Sequence, residues 1–214
     1  MASMIAPNVV DMDLMSWTSH VTQDAERLIS LGVSRADVGD RLLEALAEAC
    51  PLDDAPLNRE LFPHTTWHDY RIEQTLYVLT ALEIDRARSL AEAHLAARSA
   101  RVQLAAGSAL LRFGGDVEQA TSLIVEGSIG TGRSELPDTL PEDLRRRGLA
   151  LSTVTPLLAD PRPEVRLLGV RMLAAAGPDH ASAAEPELRE LLRDSDRDVS
   201  MAATQTLNGF ILDG

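Results

Sequence analysis

The sequence predicts an all-α fold, an α-solenoid of stacked helical repeats with a divergent helical N-terminal part. First, one phrase occurs twice near the C-terminus, at 157–177 and 191–210, offset by 34 residues, which is the size of one helix–turn–helix repeat unit. Second, apolar residues make up 45% of the chain but aromatic residues only 3%, so the helix-favouring residues Ala and Leu supply the apolar content. Third, no stretch alternates β-branched and polar residues, so we expect no sheet.

Each copy of the phrase predicts a helix, a short turn and a second helix. Asp160-Pro161-Arg162-Pro163 breaks the first copy, and Gly177-Pro178 stops its second helix. Asp194-Ser195-Asp196 breaks the second copy and offers side-chain oxygens to the free N–H groups of the following helix. Asn208-Gly209 is expected to end that helix, because both residues tolerate the left-handed backbone of a C-terminal cap.

Equivalent core positions follow from the same offset. Val165 corresponds to Val199 (199 − 165 = 34) and Leu173 to Leu207. Each valine begins the inward apolar stripe of a second helix, and each leucine lies two turns further along that stripe. We expect these side chains to be buried in adjacent repeats.

The first copy carries a family pattern. Residues 157–166 read L-L-x-D-x-x-x-x-V-R, and Gly169 and Leu173 follow four and eight residues after Val165. This pattern resembles the HEAT family, especially its bacterial, lyase-type variant. In the resemblance, Arg166 follows Asp160 at the spacing of the family's Asp–Arg ladder, whereas Ser200 replaces the arginine in the second copy.

The resemblance implies an extended concave face formed by the second helices of the repeats. Helical repeats use such faces to bind partners without a catalytic pocket. The outward positions of the two second helices are the candidate partner-binding residues, namely Arg166, Val170, Arg171, Ser200, Thr204 and Gln205.

The sequence before residue 136 predicts helices whose repeat pattern is weaker than in the two C-terminal copies. We expect an N-terminal helical segment at 1–60, degenerate helical repeats at 61–135 and the HEAT-like repeats at 136–214, all within one continuous domain. The clearest degenerate copy is Ala100–Gly114, where Val102 and Leu110 have the spacing of the core positions above.

Aromatic and histidine residues gather at 61–70. His64 and His68 are four residues apart and would share a face if both lay on a helix. Metal binding needs a third ligand, and Asp69 would point away from His68, so we expect no metal site. Two interpretations remain: an enzyme pocket at His64, Trp67, His68 and Asp69, or a structural aromatic plug with Trp67 buried.

A phosphate-loop-like string occupies 127–134, with the pattern G-x-x-x-x-G-R-S. A phosphate loop needs a preceding strand and a lysine, whereas the residues before Gly127 read as a helix. The string is therefore expected to belong to a flexible inter-repeat break at 126–143, and no cofactor is predicted.

Charge limits the partners. The net charge is −13, and all 20 basic residues are arginine. Such a surface repels phosphate backbones and anionic membranes, which predicts no nucleic-acid binding and no membrane binding. The single Cys50 excludes an intramolecular disulfide and suits a reducing, cytoplasmic location. Nothing in the sequence fixes the oligomeric state.

Three functions fit these observations. The first is a protein-binding scaffold or adaptor that uses the concave face and needs no enzymatic residues. The second is a HEAT-like enzyme with a pocket near Trp67, His68 and Asp69. The third is an acidic immunity or inhibitor protein that masks a basic partner through complementary charge.

Overall fold

The computed structural model describes residues 14–58 and 62–212, and nearly all the regular secondary structure in that part of the chain is helical. Its helices are α1 (Leu14–Ser30), α2 (Arg35–Ala47), α3 (Trp67–Ala81), α4 (Arg86–Ala93), α5 (Ala100–Arg112), α6 (Val117–Gly130), α7 (Leu140–Arg147), α8 (Leu151–Val154), α9 (Pro163–Ala176), α10 (Pro178–Ala183), α11 (Glu185–Leu191) and α12 (Arg197–Leu212). A 3-10 helix, Thr155–Ala159, continues α8. The predicted all-α class is confirmed.

A small hairpin shows that the prediction of no sheet was wrong in detail. Strands β1 (Pro56–Asn58) and β2 (Phe62–Thr66) pair antiparallel, with Pro56 opposite Thr66. Two strands this short are stable only when packed on something larger, and β2 runs directly into α3, against which both strands pack. The tertiary setting therefore produces the hairpin without a long alternating sequence.

The helices form two rows. In the first row, α3, α5, α7, α9 and α12 each pack against the next. In the second row, α4 and α6 pack beside α5, the 3-10 helix beside α9, and α11 beside α12. The 3-10 helix with α9 and α11 with α12 thus form two helix pairs that each contribute one helix to each row, which is the architecture of stacked helical repeats. Every described helix is too short or too polar to span a lipid bilayer.

The core is one contiguous cluster of buried residues that extends from Val21 to Ala203. Val165 is 2% exposed, while Val199 and Leu173 are completely buried, so their predicted positions are confirmed. Leu207 is only partly buried. The prediction for Leu207 was wrong in degree, because among the described residues no further helix follows α12 to cover it.

Two predicted helix boundaries were wrong. The break expected to begin at Glu126 starts later, because α6 continues through Gly130. The helix expected to end at Asn208-Gly209 continues to Leu212. Asn208 and Gly209 can adopt the left-handed backbone of a C-terminal cap, but both residues can also continue a helix. The surrounding packing therefore decides where the helix ends.

Two of the three glycines in the phosphate-loop-like string, Gly127 and Gly130, pack α6 against α5. A Cβ at Gly127 would lie 2.5 Å from the Leu104 nitrogen and 2.6 Å from the Ala100 carbonyl oxygen. A Cβ at Gly130 would lie 2.5 Å from the Ala100 Cβ. The two glycines lie one turn apart on α6 and allow the helices to approach more closely than any larger residue would. They are therefore packing residues within a helix.

Gly127→Ala is expected to destabilise the protein, because the new methyl group meets backbone atoms that cannot rotate away. Overpacking of this kind costs about 1–3 kcal/mol, more than the gain of up to ~1 kcal/mol in helix propensity. Gly209→Ala is the control, since nothing lies within 4 Å of its added Cβ, and it should be neutral or stabilising. Urea denaturation measures both variants. Equal stability of the two would contradict the close α5–α6 packing.

Leu173→Ala should lower the free energy of unfolding by about 2–5 kcal/mol, as at other fully buried leucines. Arg171→Ala, two residues away on the opposite side of α9, should cost below about 1 kcal/mol. Repeats support each other through neighbouring interfaces, so hydrogen exchange in the Leu173 variant should become faster in 186–210 than in 70–112. If the two substitutions cost the same, the repeat register is wrong.

Candidate functional site

The carboxylate of Asp69 has a structural role at the start of α3. Thr66 Oγ1 accepts a hydrogen bond from Asp69 N (3.1 Å), and Asp69 Oδ2 accepts one from Thr66 N (2.8 Å). This reciprocal capping box satisfies N–H groups that the helix leaves free. Asp69 is therefore engaged as a cap, which argues against a catalytic carboxylate at this position.

His64 and His68 do not lie on one helix, so the condition for a shared face is not met. His64 belongs to β2, and His68 is the second residue of α3. The His68 side chain is about half exposed, and its Nδ1 lies 3.8 Å from Asp53 Oδ1. No group of three potential metal ligands occurs among residues 14–58 and 62–212.

The carboxylate of Asp53 is bound mainly by Arg71 and Cys50 and only weakly by His68. Arg71 Nη1 donates to both of its carboxylate oxygens, at 2.8 and 3.0 Å, and Cys50 N donates to Oδ2 at 2.9 Å. Burial by itself would raise the pKa of Asp53, but the Cys50 hydrogen bond and the Arg71 guanidinium hold that pKa below its usual range. The carboxylate thus fastens the turn before the hairpin to α3.

Trp67 is partly buried, covered on one side without being fully enclosed. Its ring meets the Tyr70 ring edge to face, with centroids 5.9 Å apart. Tyr70 is the buried member of the pair, and the guanidinium of Arg101 lies 5.8 Å from its ring centroid. Tyr70 is therefore the more deeply buried ring of this aromatic pair.

Four arginines share one arrangement, which we call the arginine ladder. Each guanidinium side chain is 13–14% exposed and pairs with a carboxylate on another part of the fold. The pairs are Arg71–Asp53 (2.8 Å), Arg101–Glu73 (2.6 Å), Arg112–Asp143 (2.7 Å) and Arg166–Asp194 (2.7 Å). Sheltered charges need such partners because an unpaired charge loses hydration without compensation.

Arg166 is the ladder member that joins the two HEAT-like repeats. Its Nε and Nη2 donate to the two Asp194 oxygens, both at 2.7 Å, while Nη1 donates to the Asp160 carbonyl at 2.8 Å. The hydrogen bonds from Arg166 lower the pKa of Asp194. Arg166 was a candidate for partner binding, but it is already engaged between the two turns and is not on a free face.

A groove with a volume of about 610 Å³ runs along α9 and α12, and we call it the α9–α12 groove. Its lining comprises Arg145, Leu167, Val170, Arg171, Ala174, Gly177, Pro178, Asp198, Met201, Ala202, Gln205, Thr206 and Gly209. The α9 and α12 members recur at i, i+3, i+4 and i+7, so each helix presents one continuous stripe. The groove follows two successive repeats.

The structure divides the predicted partner-binding residues. Arg171 and Gln205 line the groove. Val170 also borders it but is completely buried, so its predicted outward position was wrong. Ser200 and Thr204 lie outside the lining, and their hydroxyls donate to the backbone carbonyls of Arg197 and Ser200.

Sequence reasoning missed Met201 and Arg145 as groove residues. Met201 is 48% exposed, and it is the repeat equivalent of Leu167 (201 − 167 = 34). That offset could have identified it. Arg145 belongs to the run Arg145–Arg147 on α7, and only the packing of α7 against α9 brings it to the groove.

A double-mutant cycle of Arg166→Ala and Asp194→Ala should show a coupling free energy of about 0.5–3 kcal/mol, the range for contacting residues. The pH dependence has a definite sign. Since the folded pKa of Asp194 is depressed, its contribution is present above the ordinary aspartate pKa of about 3.9 and is lost as pH falls through the folded value. Urea denaturation should therefore show a large stability difference between the wild type and Asp194→Asn at pH 7 and a smaller one at pH 3. A constant difference would contradict the pairing.

Comparison with known proteins agrees with this geometry in one segment. A family model described as HEAT repeats matches residues 151–212, which contain α8 to α12, the Arg166–Asp194 pair and most of the groove. No curated protein matches the chain. Residues 151–212 therefore belong to the HEAT-repeat family.

Proposed function

We propose that this protein is a protein-binding helical-repeat scaffold or adaptor, and that the α9–α12 groove is its binding surface. The observation that carries the proposal is the groove itself, which runs along two successive HEAT repeats and contains the exposed side chain of Met201. Helical-repeat proteins bind partners on surfaces that extend along their repeats.

The dimensions of the groove suit a short segment of a partner protein. Its α12 side extends from Asp198 to Gly209, which at 1.5 Å per residue is about 16 Å. That length accommodates two to three turns of a helix or a short extended peptide. Ala174 and Ala202 provide small apolar surfaces between the polar groups, as in other sites that combine an apolar floor with a few polar contacts.

The other two functions have less support. Asp69 acts as a helix cap, and His64 and His68 lie in different elements, so the positions of these three residues give no support to an enzyme pocket there. An immunity or inhibitor protein for a basic partner would present acidic groups, whereas Arg145 and Arg171 border the groove. We further propose that the chain forms one continuous domain, that it is cytoplasmic and that it binds no cofactor. We also propose that it does not bind nucleic acid, because a net charge of −13 repels the phosphate backbone.

The decisive experiment compares two exposed apolar residues. Met201→Glu places a charge in the groove, and Leu192→Glu places one outside it, at a leucine that is 40% exposed. Proteins captured from native cytosol by the wild type are identified, purified and titrated against each variant. We expect Met201→Glu to weaken binding by about tenfold or more, equivalent to 1.4 kcal/mol, and Leu192→Glu to leave it unchanged. Equal binding by both variants would place the interface elsewhere.

A further inference from the structure

The arginines at the α9–α12 groove differ from those of the arginine ladder. Every ladder arginine has a carboxylate partner. Arg171 is likewise only partly exposed, yet its Nη1 donates to a neutral acceptor, Ser134 Oγ, at 3.0 Å. Arg145 is exposed. Neither Arg145 nor Arg171 has a carboxylate within 4.0 Å among the residues that the structure describes.

We propose that the groove binds an acidic segment of a protein partner, in which a carboxylate side chain pairs with Arg145 and Arg171 and a neighbouring apolar side chain packs on Met201. This inference rests on the proposed function, because it assumes that the groove is the binding surface. It adds the chemistry of the partner.

The guanidinium of Arg171 is suited to receive a carboxylate. A guanidinium carries five N–H donors in a planar fork, and the Ser134 hydroxyl occupies one of them. Arg171 is already partly removed from water in the free protein, so part of the desolvation cost is borne before the partner arrives. A carboxylate then gains charge-assisted hydrogen bonds at a lower cost than at a fully hydrated arginine.

The other charged residue of the groove is also compatible with an acidic partner. Asp198 is its only acidic lining residue, and it lies in the first turn of α12, where the helix dipole already favours a negative charge. A basic segment would face two arginines. The rest of the acidic surface is screened over about 8 Å at physiological ionic strength, so the groove arginines dominate at contact despite the net charge of −13.

The apolar half of the proposed partner follows from Met201. Its repeat equivalent, Leu167, is 9% exposed, whereas Met201 is 48% exposed. Met201 has a flexible, polarisable side chain that adapts to differently shaped apolar groups. A partner segment with an apolar residue beside its carboxylate would cover Met201 while the carboxylate pairs with the arginines.

The test uses a phage-displayed library of random 12-residue peptides, selected on the full-length wild type and, separately, on the double variant Arg145→Glu/Arg171→Glu. We expect peptides from the wild type to be enriched in Asp or Glu beside an apolar residue, and peptides from the double variant to be enriched in Lys or Arg. A synthetic copy of the best wild-type peptide should bind Arg171→Glu about tenfold or more weakly, and its copy with Lys in place of the acidic residue should recover affinity for that variant.

The matched control is Arg41→Glu/Arg193→Glu, which changes the net charge by the same amount at two exposed arginines outside the groove lining. It should bind the wild-type peptide with unchanged affinity. Neither groove arginine belongs to a described ion pair, so the groove double variant should also keep the helical circular dichroism of the wild type.

The outcomes separate this inference from the function on which it rests. If the selected peptides are basic or show no charge preference, yet lose binding to Met201→Glu, the groove is a binding surface and the acidic partner is refuted. If no peptide is enriched, or if the enriched peptides bind Met201→Glu as well as the wild type, both the groove and the acidic partner are refuted. An equal loss of affinity in the control variant would also overturn the inference, because net charge alone would explain the binding.

Discussion

The pairing of sheltered arginines with carboxylates is the interaction on which the stacking of the repeats depends. Arg101–Glu73 joins α5 to α3, Arg112–Asp143 joins α5 to α7, and Arg166–Asp194 joins the two turns of the HEAT-like segment. Each guanidinium is largely covered, so removal of its partner would leave a poorly hydrated charge between two helices. The stack therefore keeps its register through directional bonds as well as through apolar packing.

The pKa values of two ladder carboxylates are shifted in opposite directions. The hydrogen bonds from Arg166 lower the pKa of Asp194, so Asp194 stabilises the fold above the ordinary aspartate pKa. Burial raises the pKa of Glu73, despite the opposing effect of Arg101, so the contribution of Glu73 is greatest at low pH and falls as pH rises through the raised value. Burial and the charge of Glu73 also raise the pKa of the neighbouring Tyr77 to about 12. The α3–α5 contact is thus the more deeply desolvated one.

Arginine occurs both in the arginine ladder and at the α9–α12 groove, but its hydrogen-bond acceptors differ between the two. In the ladder, the acceptor belongs to the chain and fixes the fold. At the groove, Arg171 has only a hydroxyl from Ser134, and Met201 is exposed where its repeat equivalent is covered. A charged fork without a carboxylate, beside an exposed apolar side chain, is the combination that a protein partner can complete. In a chain of net charge −13, the groove lining carries two arginines and one aspartate.

The sequence by itself determined the helical class, the 34-residue offset and the buried positions Val165, Leu173 and Val199, because helical periodicity and repetition are local properties of the chain. It did not determine the hairpin before α3, the end of α12, or the role of Gly127 and Gly130, because each depends on which element packs alongside. The candidate surface shows the same division. Arg171 and Gln205 followed from the outward positions of the repeats, whereas Arg145 reached the groove only through the packing of α7 on α9. Arg166 had the correct spacing for the family pattern, but the tertiary structure alone decided that its partner is Asp194, 28 residues away, since that pairing requires the two turns to be stacked.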